Sequence, residues 1–165
     1  MKLSLARPAA GPRIPEEFAD WVRPSLPAMA RLATRLSSAD EADDVVQESL
    51  VRAWSKRAQF DPARGSLSSW LLAITADQAR KARGRRRPAA LFDSNAGVRS
   101  VDDRLDVEYA LTKLASRQRL AVDCFYFVGL SIAETAAVMR CSEGTIKSTL
   151  SDARARLQRL LEGRS

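Results

Sequence analysis

Apolar residues recur along much of this chain at intervals of three and four, the spacing that places side chains on one face of an α-helix. The longest regular series consists of Ile146, Leu150, Ala153, Leu157 and Leu161. Strict alternation of apolar and polar residues, which indicates a half-buried strand, is absent from the sequence. Internal repeats are absent as well. The pattern therefore predicts an all-α fold.

Residues 131–161 predict two helices separated by a tight break at residues 140–141. Ser131 and Glu134 form a capping box for the first helix, and Ser142 can cap the second. Opposite its apolar face, the second helix carries short polar and basic side chains suited to base edges and phosphates. These side chains are Thr145, Lys147, Ser148, Thr149, Arg154 and Arg156. The arrangement predicts a helix-turn-helix, although an ordinary helical hairpin with a solvated face fits the same residues.

Three further helices are predicted in the first half of the chain. The first covers about 16–36, and Pro24 and Pro27 must kink or delay it. The second begins at a capping box formed by Ser38 and Glu41 and continues to about residue 57. The third follows Ser66 and continues to about residue 83. We expect these helices to form one small domain over residues 16–87, preceded by a disordered, Pro-containing tail at residues 1–15.

The second of these helices separates apolar from charged residues. Its inward face is expected to contain Ala42, Val45, Val46, Leu50, Ala53 and Trp54. Its outward face is expected to contain Asp43, Asp44, Gln47, Glu48 and Arg52. Such a face can form ion pairs and hydrogen bonds with a basic partner, although a merely solvated acidic face has the same pattern.

The third helix becomes strongly basic at its carboxyl end. Six of eight residues there carry positive charge: Arg80, Lys81, Arg83, Arg85, Arg86 and Arg87. The helix dipole favours some positive charge at this end, so a solvated helix terminus is one interpretation. Six charges exceed what the dipole requires, and the run therefore predicts binding to nucleic-acid phosphates.

The remainder of the chain divides into a linker and a second domain. Residues 88–101 contain Pro, Gly, Asn and Ser without an apolar period, which predicts a flexible linker. Residues 102–163 are expected to form a four-helix domain that includes the helix-turn-helix. One of its helices runs from Ser116 to Val128 and ends at Gly129. Its inward residues are expected to be Leu120, Cys124, Phe125, Phe127 and Val128.

Composition excludes several kinds of function. The chain has 165 residues, a formal net charge of +7 and no histidine, which favours an acidic partner and removes histidine catalysis and ordinary zinc sites. Two cysteines are too few for a disulfide framework or a thiolate metal site. No Gly-rich phosphate loop or nucleophile motif is present, so we expect no enzyme, catalytic residue, metal or cofactor. The absence of a membrane-length apolar segment or a signal peptide predicts a cytoplasmic protein without membrane insertion.

Three stretches together make the chain resemble the extracytoplasmic-function (ECF) class of bacterial sigma factors, within the sigma-70 superfamily. These stretches are Asp43-Asp-Val-Val-Gln-Glu-Ser-Leu-Val-Arg-Ala-Trp54, Ser69-Trp-Leu-Leu-Ala-Ile-Thr-Ala with the basic run, and Gly144-Thr-Ile-Lys-Ser-Thr-Leu150 with the helix before it. The resemblance implies that the acidic helix docks on the β′ coiled coil of core RNA polymerase. It implies that the basic helix binds the −10 promoter element. The helix-turn-helix would read the −35 element, and the second domain would contact the β flap.

The resemblance assigns Asp43, Asp44, Gln47, Glu48 and Arg52 to polymerase binding. It assigns DNA binding to Asp77, to the six basic residues at 80–87 and to eight residues of the second domain. These eight are Ser142, Glu143, Thr145, Lys147, Ser148, Thr149, Arg154 and Arg156. Little sequence follows the last helix, so we expect control by a separate protein, which the resemblance suggests is an anti-sigma factor.

Several residues depart from the family's usual pattern. Asp77 stands where Asn is usual, and Lys81 stands where Asp is common. Thr149 and Asp152 replace frequent basic residues, and Arg140 stands where Gly eases the turn. Two alternatives to a sigma factor therefore remain. One is a stand-alone helix-turn-helix regulator, and the other is a sigma-like decoy that binds an anti-sigma protein without starting transcription.

Overall fold

The computed structural model describes residues 11–85 and 101–163 of the chain, and these contain α-helices and no strand. Eight α-helices are present in these two ranges: α1 Pro15–Val22, α2 Leu26–Leu36, α3 Ala39–Lys56, α4 Leu67–Arg85, α5 Val101–Thr112, α6 Ser116–Val122, α7 Ile132–Met139 and α8 Glu143–Glu162. The predicted all-α class, with two helical regions, is confirmed. We call residues 11–85 the N-terminal half and residues 101–163 the C-terminal half.

Hydrogen bonds at the helix starts confirm the predicted caps. The backbone N–H of Glu134 donates to Ser131 Oγ at 3.0 Å, and Ser131 N–H donates back to the Glu134 carboxylate at 2.9 Å. At α8, the N–H of Thr145 donates to Ser142 Oγ at 3.2 Å. At α4, the N–H of Ser69 donates to Ser66 Oγ at 3.1 Å. Each bond satisfies a backbone donor that the first helical turn leaves without a partner.

Proline divides the first predicted helix as expected. A 3₁₀ turn over Arg23–Ser25 separates α1 from α2. Pro24 lies at the start of this turn, and Pro27 lies at the start of α2. Proline is tolerated at these positions because the first turn of a helix has no intrahelical acceptor for its N–H.

The predicted helix over residues 116–128 is α-helical only to Val122. Residues Asp123–Val128 form a π-helix, which ends at Gly129 with φ of 79°. Cys124 and Val128 are buried as predicted, but Phe127 is 44% exposed, so its predicted inward position was wrong. A π-helix repeats its hydrogen bonds from residue i to i+5, and this displaces side chains from the positions that a 3.6-residue turn gives them.

The two halves share one continuous hydrophobic core. α4 packs against α2 and α3 of its own half and also against α7, while α2 packs against the π-helix. The buried residues of α4 are Ser69, Leu71, Leu72, Ile74, Thr75, Ala76, Gln78 and Ala79. At about 100° per residue, this set covers about 220° of the helix circumference, twice the stripe of an ordinary surface helix. Helix α4 is therefore covered from both halves, which the sequence pattern did not indicate.

Candidate protein-docking and nucleic-acid interfaces

The outer surface of α3 presents the predicted acidic residues to solvent. Ala42, Val45 and Ala53 are buried as predicted, while Val46 and Leu50 are partly buried against the core. The five residues proposed for polymerase docking are all exposed: Asp43, Asp44, Gln47, Glu48 and Arg52. We call this set the acidic face. Its separation from the core means that its charges can meet a partner without rearrangement of the helix.

Two features of α3 were missed by the sequence analysis. Ser49 is fully buried, and its hydroxyl donates to the Val45 carbonyl at 2.6 Å, which satisfies it inside the core. Val51 is 62% exposed beside the acidic face, where an apolar side chain can contact a partner. Val51 follows Gln47 by four residues and Glu48 by three, and this helical spacing was the signal that could have placed it on the same exposed surface.

A groove of about 270 Å³ lies between α3 and α4, adjacent to the acidic face. Its lining residues are Glu41, Asp44, Val45, Glu48, Gln78, Ala82 and Arg85. Acidic groups on one wall and the basic end of α4 on the other give this groove charges of both signs.

Four residues of the predicted basic run are exposed at the carboxyl end of α4: Arg80, Lys81, Arg83 and Arg85. Arg86 and Arg87, together with most of the predicted linker, lie outside the described residues. An exposed cluster at a helix end can reach phosphates, because long basic side chains extend away from the backbone.

Asp77 lies just before this run and is bound by two guanidinium groups. Arg80 Nη2 lies 2.7 Å from one carboxylate oxygen, and Arg140 of the C-terminal half pairs with the other. Asp77 was predicted to lie against DNA, where a free carboxylate repels phosphate. In this structure both carboxylate oxygens are paired with cations, and one of these cations belongs to the other half of the chain.

The helix-turn-helix consists of α7 and α8 with a turn at Arg140. Arg140 has φ of 53° and ψ of 48°, the left-handed conformation for which glycine is best suited, as the departure from the family pattern predicted. Ile146 and Leu150 are buried, as their spacing required. The four candidate base-reading residues are exposed near the start of α8: Glu143, Thr145, Lys147 and Ser148.

The other candidate DNA-binding residues of α8 differ in their surroundings. Thr149 is partly buried, whereas Arg154 and Arg156 are exposed. Arg154 Nη1 donates to the Tyr126 hydroxyl at 3.2 Å, so α8 is tied to the π-helix at this point. While this bond is intact, Arg154 can contact only a phosphate that lies close to Tyr126. A more distant phosphate requires the bond to break.

A buried ion pair joins the two halves and was not foreseen. Arg35 Nε lies 2.7 Å from Asp123 Oδ1, and Arg35 also stacks over the Phe127 ring at 3.9 Å. Arg31 Nε donates to the Val128 carbonyl at 3.1 Å. A single carboxylate inside the apolar run at residues 120–128 was the signal that could have indicated a buried cationic partner.

The described residues provide no arrangement suited to metal binding, and one of the two cysteines is buried. They contain no group of three or more His, Cys, Asp or Glu side chains placed to hold a metal ion. Burial raises the pKa of Cys124 to about 12, which keeps it protonated and unreactive. None of the helices in these ranges combines the length and the apolar character that crossing a membrane requires.

Comparisons with known protein families give a match in each half of the chain. The models for Sigma-70 region 2 and Sigma-70, region 4 match residues 21–88 and 104–157. The ECF RNA polymerase sigma factor SigC of Mycobacterium tuberculosis is 37% identical over 134 residues, which cover 75% of this chain and 72% of SigC. The chain belongs to the ECF sigma factors. The ECF sigma factor EcfG of Rhodopseudomonas palustris is 33% identical over 156 residues, covering 88% of this chain and 86% of EcfG.

Two solved structures of protein complexes contain a chain with the same fold. The sigma factor RpoE, in complex with the anti-sigma factor NepR from Bartonella quintana, matches with a TM-score of 0.64 and 32% identity, over 89% of this chain and 98% of that one. CnrH, in complex with the cytosolic domain of CnrY, matches with a TM-score of 0.66 and 28% identity, over 91% and 90%. The similarity to both covers the N-terminal and C-terminal halves together.

Proposed function

We propose that this ECF sigma factor docks on the β′ coiled coil of core RNA polymerase through the acidic face of α3. In the same proposal, α4 and its basic end bind the −10 element, and α8 reads the −35 element. The proposal also includes two domains, with limits at residues 16–87 and 102–163. It further includes contact of the second domain with the β flap. The main observation in support of the proposal is that one chain exposes both an acidic helix face and a capped helix-turn-helix.

The acidic face supports docking because its charges are exposed while its helix is anchored from the other side. Opposite charges on a polymerase surface would steer the encounter and fix its register. Val51 adds an apolar contact at the same surface. The groove between α3 and α4 offers a place for a basic side chain of the partner.

The DNA-binding surfaces support promoter reading through two different kinds of contact. Exposed arginines at the end of α4 can neutralise phosphates and release counterions, which gives affinity without sequence preference. Side chains in the first turns of α8 can reach base edges in the major groove, which gives sequence preference. Two weak sites on one chain then act together through effective concentration.

In this role the chain makes and breaks no covalent bond, and the polymerase catalyses RNA synthesis. We place the protein in the cytoplasm, with a separate anti-sigma factor as its regulator. The similarity to the complex of RpoE with the anti-sigma factor NepR supports the existence of such a partner.

Run-off transcription with purified core polymerase tests the proposal. The double variant Asp44→Lys and Glu48→Lys reverses two charges of the acidic face and is expected to abolish both core binding and transcript. A matched control, Glu16→Lys and Asp20→Lys, reverses two exposed carboxylates at the same spacing on α1 and should leave both unchanged. Wild-type core binding by the α3 variant would contradict the docking assignment.

The same assay separates the two alternative functions. A decoy would bind an anti-sigma protein and yield no transcript from any promoter, even with saturating core enzyme. A stand-alone regulator would bind duplex DNA without core polymerase and with the same affinity in its presence. A sigma factor requires core polymerase for both promoter binding and transcript.

A further inference from the structure

Tyr126 and Arg154 form an exposed polar pair beside the helix-turn-helix. Arg154 Nη1 donates to the Tyr126 hydroxyl at 3.2 Å, and this bond joins α8 to the π-helix. Tyr126 is 49% exposed, and Arg154 is exposed as well. Both polar groups are therefore within reach of a ligand that approaches from solvent.

The chemistry of the pair leaves hydrogen-bond donors without an acceptor. A guanidinium can only donate, so the Tyr126 oxygen accepts from Arg154 and its own O–H proton is left to donate. Within residues 11–85 and 101–163, no acceptor takes this proton and no carboxylate pairs with Arg154. Adjacent guanidinium and hydroxyl donors favour an oxyanion, and the oxygens of a phosphate can accept from both.

The side chains of the pair are held by buried neighbours. The rings of Phe125 and Tyr126 meet edge to face, with centroids 5.0 Å apart and planes at 87°. Phe125 is partly buried against the hydrophobic core. Arg154 follows Ala153, which is fully buried and anchors α8 at this turn. Donors that are already positioned lose less conformational entropy when they bind an anion than free side chains do.

Arg154 lies on the same face of α8 as Lys147, which is proposed to read a base. The two residues are seven positions apart, or about 700° of rotation, so their directions differ by only about 20°. Along the helix axis they are about 10.5 Å apart at 1.5 Å per residue. The major groove is about 12 Å wide, so Arg154 lies near the edge of the groove when Lys147 reaches base edges inside it. The phosphate backbone runs along this edge, and Tyr126 is bonded to Arg154 there.

We propose that Tyr126 and Arg154 together bind one backbone phosphate of promoter DNA at the edge of the −35 element. We call this pair the phosphate clamp. The inference rests on the proposed reading of the −35 element by α8, and it adds the π-helix to the DNA-binding surface. Arg154 supplies the charge, while Tyr126 directs the guanidinium and donates a second hydrogen bond. A phosphate contact carries no sequence preference, so the clamp fixes the position of α8 on the duplex.

The variant Tyr126→Phe tests the clamp because it removes only the hydroxyl and retains the ring that contacts Phe125. Tyr109→Phe is the matched control, since Tyr109 is 48% exposed on α5 of the same half. A thermal melt establishes that each variant is folded. Each is assembled with core RNA polymerase, and its affinity is measured on a duplex promoter selected from a library with a randomised −35 element. Losing a hydrogen bond to a charged group should weaken binding by Tyr126→Phe about tenfold, whereas the control should bind as the wild type does.

The second measurement replaces the phosphates around the −35 element, one at a time, by uncharged methylphosphonate. The wild type and the control should lose affinity about tenfold at the clamped phosphate. Tyr126→Phe should lose much less at that position, because part of the contact is already absent, and should keep its sensitivity at every other phosphate. A tyrosine that only braces α8 would lower affinity without changing this profile. An unchanged methylphosphonate profile in Tyr126→Phe, or wild-type affinity on unmodified DNA, would overturn the proposal.

The double variant Tyr126→Phe with Arg154→Ala tests whether the two side chains act on one phosphate. Residues that share a contact are not additive, so the double variant should lose less affinity than the product of the two single losses. Losses that multiply would show two independent contacts and would also contradict the clamp.

Failure of the proposed function has a different signature. Wild-type holoenzyme would then bind the selected promoter and one with a scrambled −35 element equally well. If the −35 sequence matters but the phosphate profiles of wild type and Tyr126→Phe are the same, the proposed function stands and only the phosphate clamp is removed.

Discussion

The guanidinium of Arg35 and the carboxylate of Asp123 form an ion pair of 2.7 Å across 88 residues of sequence, between α2 and the π-helix. Asp123 is only 5% exposed, and its pKa is raised because burial penalises the charged form more than Arg35 stabilises it. Arg119 also lowers this pKa, and Glu108 raises it. The pair joins the two halves, but the surroundings of Asp123 favour its neutral carboxyl form over the ionised carboxylate.

The raised pKa of Asp123 predicts an unusual dependence of stability on pH. Between its ordinary pKa of 3.8 and its raised value, the folded protein holds the Asp123 proton more tightly than the unfolded chain. Its contribution to stability therefore falls as pH rises through this window, opposite to the usual behaviour of a salt-bridged carboxyl. The difference in unfolding free energy between wild type and Asp123→Asn, measured by urea denaturation at several pH values, should show this slope. A difference that is flat or rises with pH would contradict it.

Removing the cation of this pair should be strongly destabilising. Arg35→Ala leaves Asp123 buried without its strongest partner, and such losses typically cost about 3–5 kcal/mol. Arg31→Ala, on the same helix, loses a hydrogen bond to the Val128 carbonyl and should cost about 1 kcal/mol. Urea unfolding of both variants at neutral pH measures the two costs. Equal effects from both would mean that the charge at Arg35 is unimportant.

The local structure of this chain could be predicted from its sequence because it depends on neighbouring residues. Ser131 with Glu134, and the spacing of Ile146 and Leu150, determine where helices begin and which face is buried. The exposure of the acidic face followed from the same periodicity on α3. These features depend on residues within one or two helical turns of each other.

The features that were missed depend either on distant residues or on local hydrogen bonds that the hydrophobic pattern does not reveal. Periodicity indicates that a helix face is buried but not which element covers it, so the packing of α4 against α7 could not be derived. The exposure of Phe127 followed from a change to π-helical hydrogen bonding, which has no compositional signal. Ser49 is buried because its hydroxyl finds the Val45 carbonyl, a bond that no hydrophobic pattern represents.

The basic end of α4 should contribute affinity that depends on salt and not on sequence. Each lost phosphate contact reduces the slope of log affinity against log salt concentration by about 0.7–0.9, so Arg83→Ala with Arg85→Ala should reduce it by about 1.4–1.8. Promoter binding by holoenzyme, titrated across salt concentrations on several promoters, measures the slope. Arg23→Ala, an exposed arginine on the 3₁₀ turn, is the control. An unchanged slope would identify the run as a solvated helix end.

Sequence preference should reside in the first turns of α8. Lys147 is exposed there between buried Ile146 and the half-buried Thr149, and it can donate to a guanine in the major groove. A base-reading contact provides about 1–3 kcal/mol of discrimination, so Lys147→Ala should relax the preference at one or two positions of the −35 element by a factor of about 5 to 150.

The matched variant is Arg154→Ala, which removes a positive charge of the same helix further from its start. Arg154 bonds to Tyr126 and lies outside the first turns, so its loss should lower affinity for every sequence alike. A library with a randomised −35 element, transcribed by each variant holoenzyme, distinguishes the two effects. If Lys147→Ala selects the wild-type motif, α8 does not read bases at this residue. If Arg154→Ala changes the motif, base readout extends further along the helix than its exposed N-terminal turns.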